Sequence, residues 1–150
     1  MDEALRAKIQ AILDQHRTMR IATLRPDGWP QVTTVGYANE GFAIYFLCGL
    51  DSQKAANLAR DNRVSLAIDD DAPQVMEITG LSMAARAEVV DDPAEGEKAM
   101  RLLWQRYPEQ KLLPGPLPTP ADVRIFRLTP EVVSLLDYSK GFGHTDLVTC

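Results

Sequence analysis

The amino-acid sequence predicts a mostly β, α+β fold: a small antiparallel barrel of six to seven strands with a few flanking helices. Two observations lead to this prediction. Short runs rich in β-branched and aromatic residues follow one another, and tight turns that contain glycine join them. Closure into a barrel would remove the exposed sheet edges to which another chain could pair. The length of 150 residues fits one domain, 1–150, with a single core.

The first half of the chain predicts a helix, three strands, a second helix and a fourth strand. Residues 3–16 place four leucines and isoleucines on one stripe, which is typical of an amphipathic helix. Turns at 26–29 and 39–41 separate the first three strands. The second helix covers 52–61. The four predicted strands cover residues 19–25, 30–38, 42–48 and 63–69.

The second half predicts one long strand or a bent pair over 75–90, in which Gly80, Ala84 and Ala85 allow a bulge or close packing. A helix follows, capped by Asp91 or Asp92, and it carries Trp104, which we expect to pack in the core. The connection over 108–120 holds five of the ten prolines and is irregular. Two last strands, broken near Pro130, precede a tail at 140–150 that we expect to be a surface segment.

Composition and charge narrow the class of protein. The net charge of −5 disfavours broad binding to nucleic acid, and no apolar run is long enough to cross a membrane. The N-terminus lacks the pattern of a signal peptide, and Cys48 and Cys150 have no paired spacing. We therefore expect a cytoplasmic protein with reduced cysteines. His16 and His144 are the only histidines and lie far apart in the sequence, so we expect no histidine-rich metal site.

The usual catalytic motifs are missing from the sequence. It contains no phosphate-binding glycine loop of the P-loop or Rossmann kind, no GxSxG and no HExxH. A hydrolase would need a nucleophile with a positioned base. Because the chain has only two histidines that could serve as this base, hydrolysis is a poor candidate for the reaction. If the protein is an enzyme, we expect a cofactor to carry the chemistry.

Lys54 stands in the first turn of the second predicted helix, which Asp51 or Ser52 can cap. The N-terminal end of a helix carries positive partial charge, so a lysine there is unfavourable by a few tenths of a kcal/mol unless an anion binds. Two interpretations stay open at this point. Lys54 is either a solvated lysine on a surface helix, or part of a site for an anion such as a nucleotide or flavin phosphate.

The stretch IATLRPDGWPQVTTVGYANEGFAIYFLCGLDSQKAANLARDNRVSLAI resembles the pyridoxamine 5′-phosphate oxidase-like family of FMN-binding split barrels. The features that carry the resemblance are the DG.P turn, the strand that follows it, and the pattern S.K..NL..N..V.L. The resemblance is specific over 19–68 and looser over 75–90. The segment LDYSKGFGHTDLV is similar to the C-terminal signature of a small bacterial branch that includes general stress proteins.

The resemblance implies a homodimer with two FMN sites at the subunit interface. It places the strand after the DG.P turn along the isoalloxazine and ribityl chain, and Ser52 and Lys54 at the phosphate. Gln53 stands where some members carry a second basic residue, and Leu47 and Cys48 where others have hydroxyl side chains. The cofactor-binding residues that the resemblance implies are Thr33, Thr34, Val35, Gly36, Leu47, Cys48, Ser52, Gln53 and Lys54.

The glycine-rich tail supplies the candidate substrate residues. Tyr138, Lys140 and His144 lie on this segment with Phe142, so it could fold over a flavin and bind an anionic substrate. The alternative is a flexible C-terminus without a role. The true oxidases end in a basic, proline-containing segment that this chain lacks, so oxidation of vitamin B6 is not the first expectation.

The function implied by the resemblance is an FMN-dependent oxidoreductase that transfers hydride or electrons to or from a small molecule, with NAD(P)H as one candidate donor. Two alternatives remain. The same fold could bind the deazaflavin F420 or haem, for which His144 and His16 are the candidate axial ligands. The protein could also be a flavin-binding stress protein without catalytic activity.

Overall fold

The structure, a computed structural model, describes residues 2–150 and consists of one antiparallel sheet with three α-helices. The helices are α1 (Glu3–Gln15), α2 (Gln53–Arg60) and α3 (Pro93–Arg106). The strands are β1 (Thr18–Leu24), β2 (Pro30–Gly36), β3 (Ala38–Glu40), β4 (Ala43–Gly49), β5 (Arg63–Asp69), β6 (Thr79–Val89), β7 (Val123–Asp137) and β8 (Thr145–Thr149). In these residues no helix is long and apolar enough to span a membrane.

The sheet is a split barrel. Its strand order is β2-β1-β5-β6-β7-β4-β3, and β8 pairs with the free side of β7. The two strands at the ends of this order, β2 and β3, are joined by Tyr37 alone, so the chain itself bridges the split. The Tyr37 ring is fully buried and its hydroxyl donates to the Leu13 carbonyl at 2.7 Å, which fixes α1 beside the split. The predicted antiparallel barrel is thus confirmed.

Two apolar clusters pack on opposite sides of the β4–β7 wall. The inner cluster fills the barrel, where Phe46 and Phe126, opposite each other in the ladder, stack with ring centroids 5.4 Å apart. The outer cluster lies under α3 and is centred on Tyr45, Met100 and Ile125. Because alternate residues of a strand face opposite sides, β4 contributes to both clusters, and this gives α3 its position on the wall.

The end of the chain differs from the prediction. The two strands expected around Pro130 are one strand, β7, in which Glu131 bulges out: Pro130 pairs with Ala85, and Val132 with Ala84. A proline cannot donate to a ladder, and the bulge accommodates it without ending the strand. The tail is a surface segment, as expected, with Lys140, Phe142 and Leu147 exposed. Its last residues, which the prediction left without a strand, form β8 at the edge of β7, after a 3₁₀ turn at Tyr138–Lys140.

The middle of the chain also corrects two boundaries. Residues 38–40, divided in the prediction between a long strand and a turn, form β3, so the structure has eight strands where six to seven were predicted. The strand predicted from residue 75 begins at Thr79, after a 3₁₀ turn at Val75–Glu77. The close packing expected at Gly80 is confirmed, since a Cβ there would lie 2.8 Å from the Asp69 Cβ.

Candidate functional site

The N-terminal end of α2 is held rigidly against the sheet. The Ser52 hydroxyl caps the helix by accepting from the Ala55 N–H at 3.1 Å. One turn further on, Asn57 is completely buried and its amide donates to Thr23 Oγ1 on β1 at 3.0 Å. Asn57 also accepts from the Gln53 amide at 2.8 Å. The buried Asn57–Thr23 bond, with the bonds at Ser52 and Gln53, fixes the rotation of α2 and with it the direction of the neighbouring side chains.

Lys54 is a cation at this helix start whose charge has no counterpart among the described residues. Its side chain is half-buried and forms no hydrogen bond or ion pair with the residues that the structure describes. Burial lowers the pKa of the Lys54 ammonium, and the nearby Cys48 thiol acts in the opposite direction. Two costs arise at Lys54: partial desolvation of its ammonium group and repulsion from the positive end of the helix. An anion bound there would compensate both costs.

The split between β2 and β4 opens beside this helix start. Thr33 and Val35 of β2 are partly buried, and they pair with the buried residues Ile21 and Met19 of β1, so they face the inside of the barrel. Thr34 lies on the opposite face of β2 and is exposed. The Thr33 Oγ1 atom is buried and has no hydrogen-bond partner in residues 2–150. Most buried hydroxyl groups are hydrogen-bonded, so such an atom indicates a missing partner.

The nine predicted cofactor residues fall on the second half of β2, the end of β4 and the start of α2. Gln53 lines one cavity with Gln31 of β2, and Gly36 lines another with Leu47 of β4. Cys48 faces the inner cluster, and its thiol is close enough to Lys54 to influence its pKa. The structure therefore brings β2 and α2 each into contact with β4. Ser52, Gln53 and the Gly36–Leu47 pair line three separate cavities, so a shared site stays a prediction.

The prediction from the sequence missed that α3 and the segment after it border the cavity of Gly36 and Leu47. The cavity shared by Gly36 and Leu47 has a volume of about 350 Å³, and its remaining wall contains Trp104, Tyr107 and Gln110. Tyr107 lies against Gly36 so closely that a Cβ at that position would be 2.8 Å from Tyr107 Oη. The only available signal was Gly36 itself, an interruption in a run of β-branched residues.

The candidate substrate residues of the tail lie elsewhere. The Tyr138 N–H donates to the Ile78 carbonyl at 2.9 Å, and its ring packs against Phe142 with centroids 5.6 Å apart. Lys140 is exposed, and His144 Nε2 lies 3.2 Å from an Asp146 carboxylate oxygen.

This loop follows the C-terminal end of β7, whereas the N-terminal end of β7 pairs with the end of β4 that leads into α2. A strand of 15 residues at about 3.3 Å per residue separates the two regions by roughly 45 Å along the chain. The fold does not bring the tail to Lys54 of the same chain.

Both histidines have local partners. His16 Nδ1 lies 2.8 Å from the Ile12 carbonyl oxygen and Nε2 lies 3.2 Å from an Asp70 carboxylate oxygen. Within residues 2–150 no group of three or more histidine, cysteine or acidic side chains is placed to hold a metal ion.

The fold and this arrangement define a member of a known class of split-barrel proteins. Residues 5–137, which make up most of the chain, match the sequence profile of the pyridoxamine 5′-phosphate oxidase family. The chain belongs to the pyridoxamine 5′-phosphate oxidase family. No curated protein matches the sequence.

Solved structures share the fold over almost the whole chain. A conserved hypothetical protein from Mycobacterium tuberculosis is 28% identical, with 97% of this chain and 91% of that chain covered and a TM-score of 0.77. A heme binding protein from Mycobacterium smegmatis is 21% identical, with 99% and 58% covered and a TM-score of 0.76. An FAD-binding protein from Mesorhizobium loti is 21% identical, with 90% and 94% covered and a TM-score of 0.68. At 21% identity, the similarity to the heme binding protein and to the FAD-binding protein shows only that they share this fold.

Proposed function

We propose that this protein is a cytoplasmic, FMN-dependent oxidoreductase that works as a homodimer and transfers hydride or electrons to or from a small molecule. The observation that carries the proposal is Lys54, a half-buried cation with no partner among the described residues, beside the N-terminal end of α2. An FMN phosphate would supply the missing negative charge. Membership of a family of this fold supports the same assignment.

The residues around the split fit FMN in chemical type. Lys54 would pair with the phosphate, and the Ser52 hydroxyl, which accepts from Ala55, keeps its own proton to donate. Gln53 would add no charge, and its amide is already bonded to Asn57. The unpartnered Thr33 hydroxyl fits a polar atom of the cofactor that lies along β2. When bound, the isoalloxazine supplies the hydride and electron transfer that no side chain here provides.

A homodimer is supported by the outer face of β1, β5 and β6. Its exposed positions include small side chains at Ser65, Ser82 and Ala84, and a groove of about 340 Å³ runs across it between Arg63 and Arg86. Small exposed side chains on a sheet face permit close approach of a second copy. In such a dimer the tail of one chain, which lies far from its own Lys54, would have to serve the partner's site.

The test is a titration of the purified apo-protein with FMN, F420 and haem in parallel, followed by absorbance and flavin fluorescence. We expect FMN to bind and Lys54→Ala to raise its Kd by about tenfold to a hundredfold, the range for a hydrogen bond to a charged group. Lys111→Ala is the matched control, because Lys111 is exposed and has no partner among residues 2–150. Equal FMN affinity in both variants, or binding of haem or F420 in preference to FMN, would overturn the proposal.

A further inference from the structure

The cavity between α3 and the sheet has the composition of a small-molecule site. Its volume of about 350 Å³ lies within the usual range for ligand pockets. Gly36 and Leu47 form its floor. The walls combine two aromatic rings, two aliphatic side chains and one amide, contributed by Trp104, Tyr107, Leu103, Pro118 and Gln110.

The walls of this cavity are fixed from behind. The Tyr107 hydroxyl donates to the Arg17 carbonyl, and the Arg17 guanidinium lies over the Tyr107 ring, 4.4 Å from its centroid. Arg17 is in turn paired with both carboxylate oxygens of Glu109, at 3.0 and 2.6 Å. Arg17 and Glu109 thus neutralise each other outside the lining of the cavity, and the Tyr107 ring is held in place without any ligand.

The lining itself contains no ionisable acid or base apart from the tyrosine hydroxyl, which is already bonded. A charged ligand would lose its hydration there without a compensating partner. Two polar groups remain available: neither the Trp104 indole N–H nor the Gln110 side-chain amide forms a hydrogen bond within residues 2–150. Both can donate to an oxygen acceptor.

We infer that this cavity binds a small, neutral, flat aromatic molecule that carries a carbonyl oxygen, between Trp104, Tyr107 and Gln110. Because the floor residues Gly36 and Leu47 are also predicted cofactor residues, the bound molecule would lie next to the cofactor. Its role as the substrate rests on the proposed function, whereas its binding to the cavity does not. A neutral aromatic carbonyl compound is then the substrate class of the enzyme.

The experiment uses 2-acetylnaphthalene as the probe and 2-naphthoate, its anionic counterpart, as the comparison. The chain has two tryptophans, so the indole N–H signal of Trp104 is assigned by its persistence in Trp29→Phe, and both compounds are titrated into ¹⁵N-labelled apo-protein. We expect the Trp104 signal to shift with saturation by the ketone, and the carboxylate to bind at least tenfold more weakly.

Two variants make the result specific. Gln110→Leu is expected to raise the Kd for the ketone by about threefold to tenfold, because one hydrogen bond is lost. Gln105→Leu, the same change at an exposed position of α3, is the matched control and should leave the affinity unchanged. Equal affinity for both compounds, no shift of the Trp104 signal, or equal effects of the two variants would overturn the inference.

The same titration is repeated on protein saturated with FMN. Retention of ketone binding supports a separate substrate site beside the cofactor. Loss of ketone binding in the presence of FMN would mean that the flavin itself occupies the cavity, and it would overturn the inference while leaving the proposed function intact. Ketone binding by a protein that fails to bind FMN would instead support the cavity and contradict the proposed function.

Discussion

The ring of Tyr107 lies directly on the backbone of Gly36, so that a Cβ atom on Gly36 would be 2.8 Å from Tyr107 Oη and 2.9 Å from Tyr107 Cζ. The ring cannot turn away without losing its hydrogen bond to the Arg17 carbonyl and its contact with the Arg17 guanidinium. We therefore expect Gly36→Ala to lower the free energy of unfolding by about 1–3 kcal/mol, measured by urea denaturation.

A double-mutant cycle isolates this contact. Tyr107→Leu shortens the side chain, so Gly36→Ala should cost at least about 1 kcal/mol less in that background than in the wild type. If the two substitutions are additive, the strain comes from the β2 backbone and not from Tyr107.

Thr33→Val is expected to change stability and cofactor affinity in opposite directions. The Thr33 hydroxyl is buried without a partner in residues 2–150, so its replacement by a methyl group should raise the stability of the apo-protein by about 1 kcal/mol. If the hydroxyl bonds the cofactor, the same change should raise the Kd for FMN about threefold to tenfold. Thr129→Val, at an exposed position of β7 outside the predicted cofactor residues, serves as the control. A gain in stability with unchanged FMN affinity would remove Thr33 from the site.

Glu95 predicts an acid-sensitive contact between α3 and the sheet. Hydrogen bonds from Arg127, at 2.7 Å to both carboxylate oxygens, and then from the Tyr45 hydroxyl lower the pKa of Glu95. A carboxyl group whose pKa is lower in the folded than in the unfolded protein stabilises the folded state. This stabilisation is complete at pH values above the unfolded-state pKa, about 4.3, and is lost as the pH falls through the folded-state pKa.

We expect Glu95→Gln to be less stable than the wild type at pH 6–7, and the difference to shrink as the pH is lowered from about 5 to 3. Urea denaturation at each pH measures it. Glu97→Gln, an exposed position on the same helix, should show no comparable convergence. A constant difference between wild type and Glu95→Gln across this range would show that ionisation of Glu95 is not the cause.

The proposed dimer predicts a mass of twice the 16.6 kDa chain in sedimentation equilibrium. Ala84 lies in the middle of β6 on its exposed face, so Ala84→Glu would place a charge inside the interface. We expect this variant to be monomeric at concentrations where the wild type is a dimer, with the secondary structure retained by circular dichroism. Gln105→Glu on α3 is the control. A wild type that stays monomeric, or a variant that still dimerises, contradicts this interface.

The local patterns predicted most of the sheet because they depend on neighbouring residues. The alternation in β1 and β5 and the glycine turn at Gly41 specify strand and connection without reference to the rest of the chain. The continuity of β7 through Pro130 and the pairing of β8 were missed, because each depends on a partner strand distant in sequence. A bulge opposite Ala84 and Ala85 becomes visible only when that register is known.

The part of the candidate site that lies on one continuous segment was predictable from local sequence. Ser52 and Lys54 share a helix start, and the capping role of Ser52 is present in the structure. The position of Tyr107 against Gly36 was not predictable, since it follows from the packing of α3 on the β4–β7 wall. The separation of the tail from Lys54 likewise required the pairing of β4 with β7.

The strand β7 forms ladders with β4, β6 and β8, and no other strand of the described sheet pairs with three neighbours. Detachment of β7 would leave β3 and β4 without backbone partners on the remaining sheet, so half of the barrel has no independent means of staying folded. Unfolding is therefore expected to be cooperative, with fluorescence and circular dichroism giving one coincident transition.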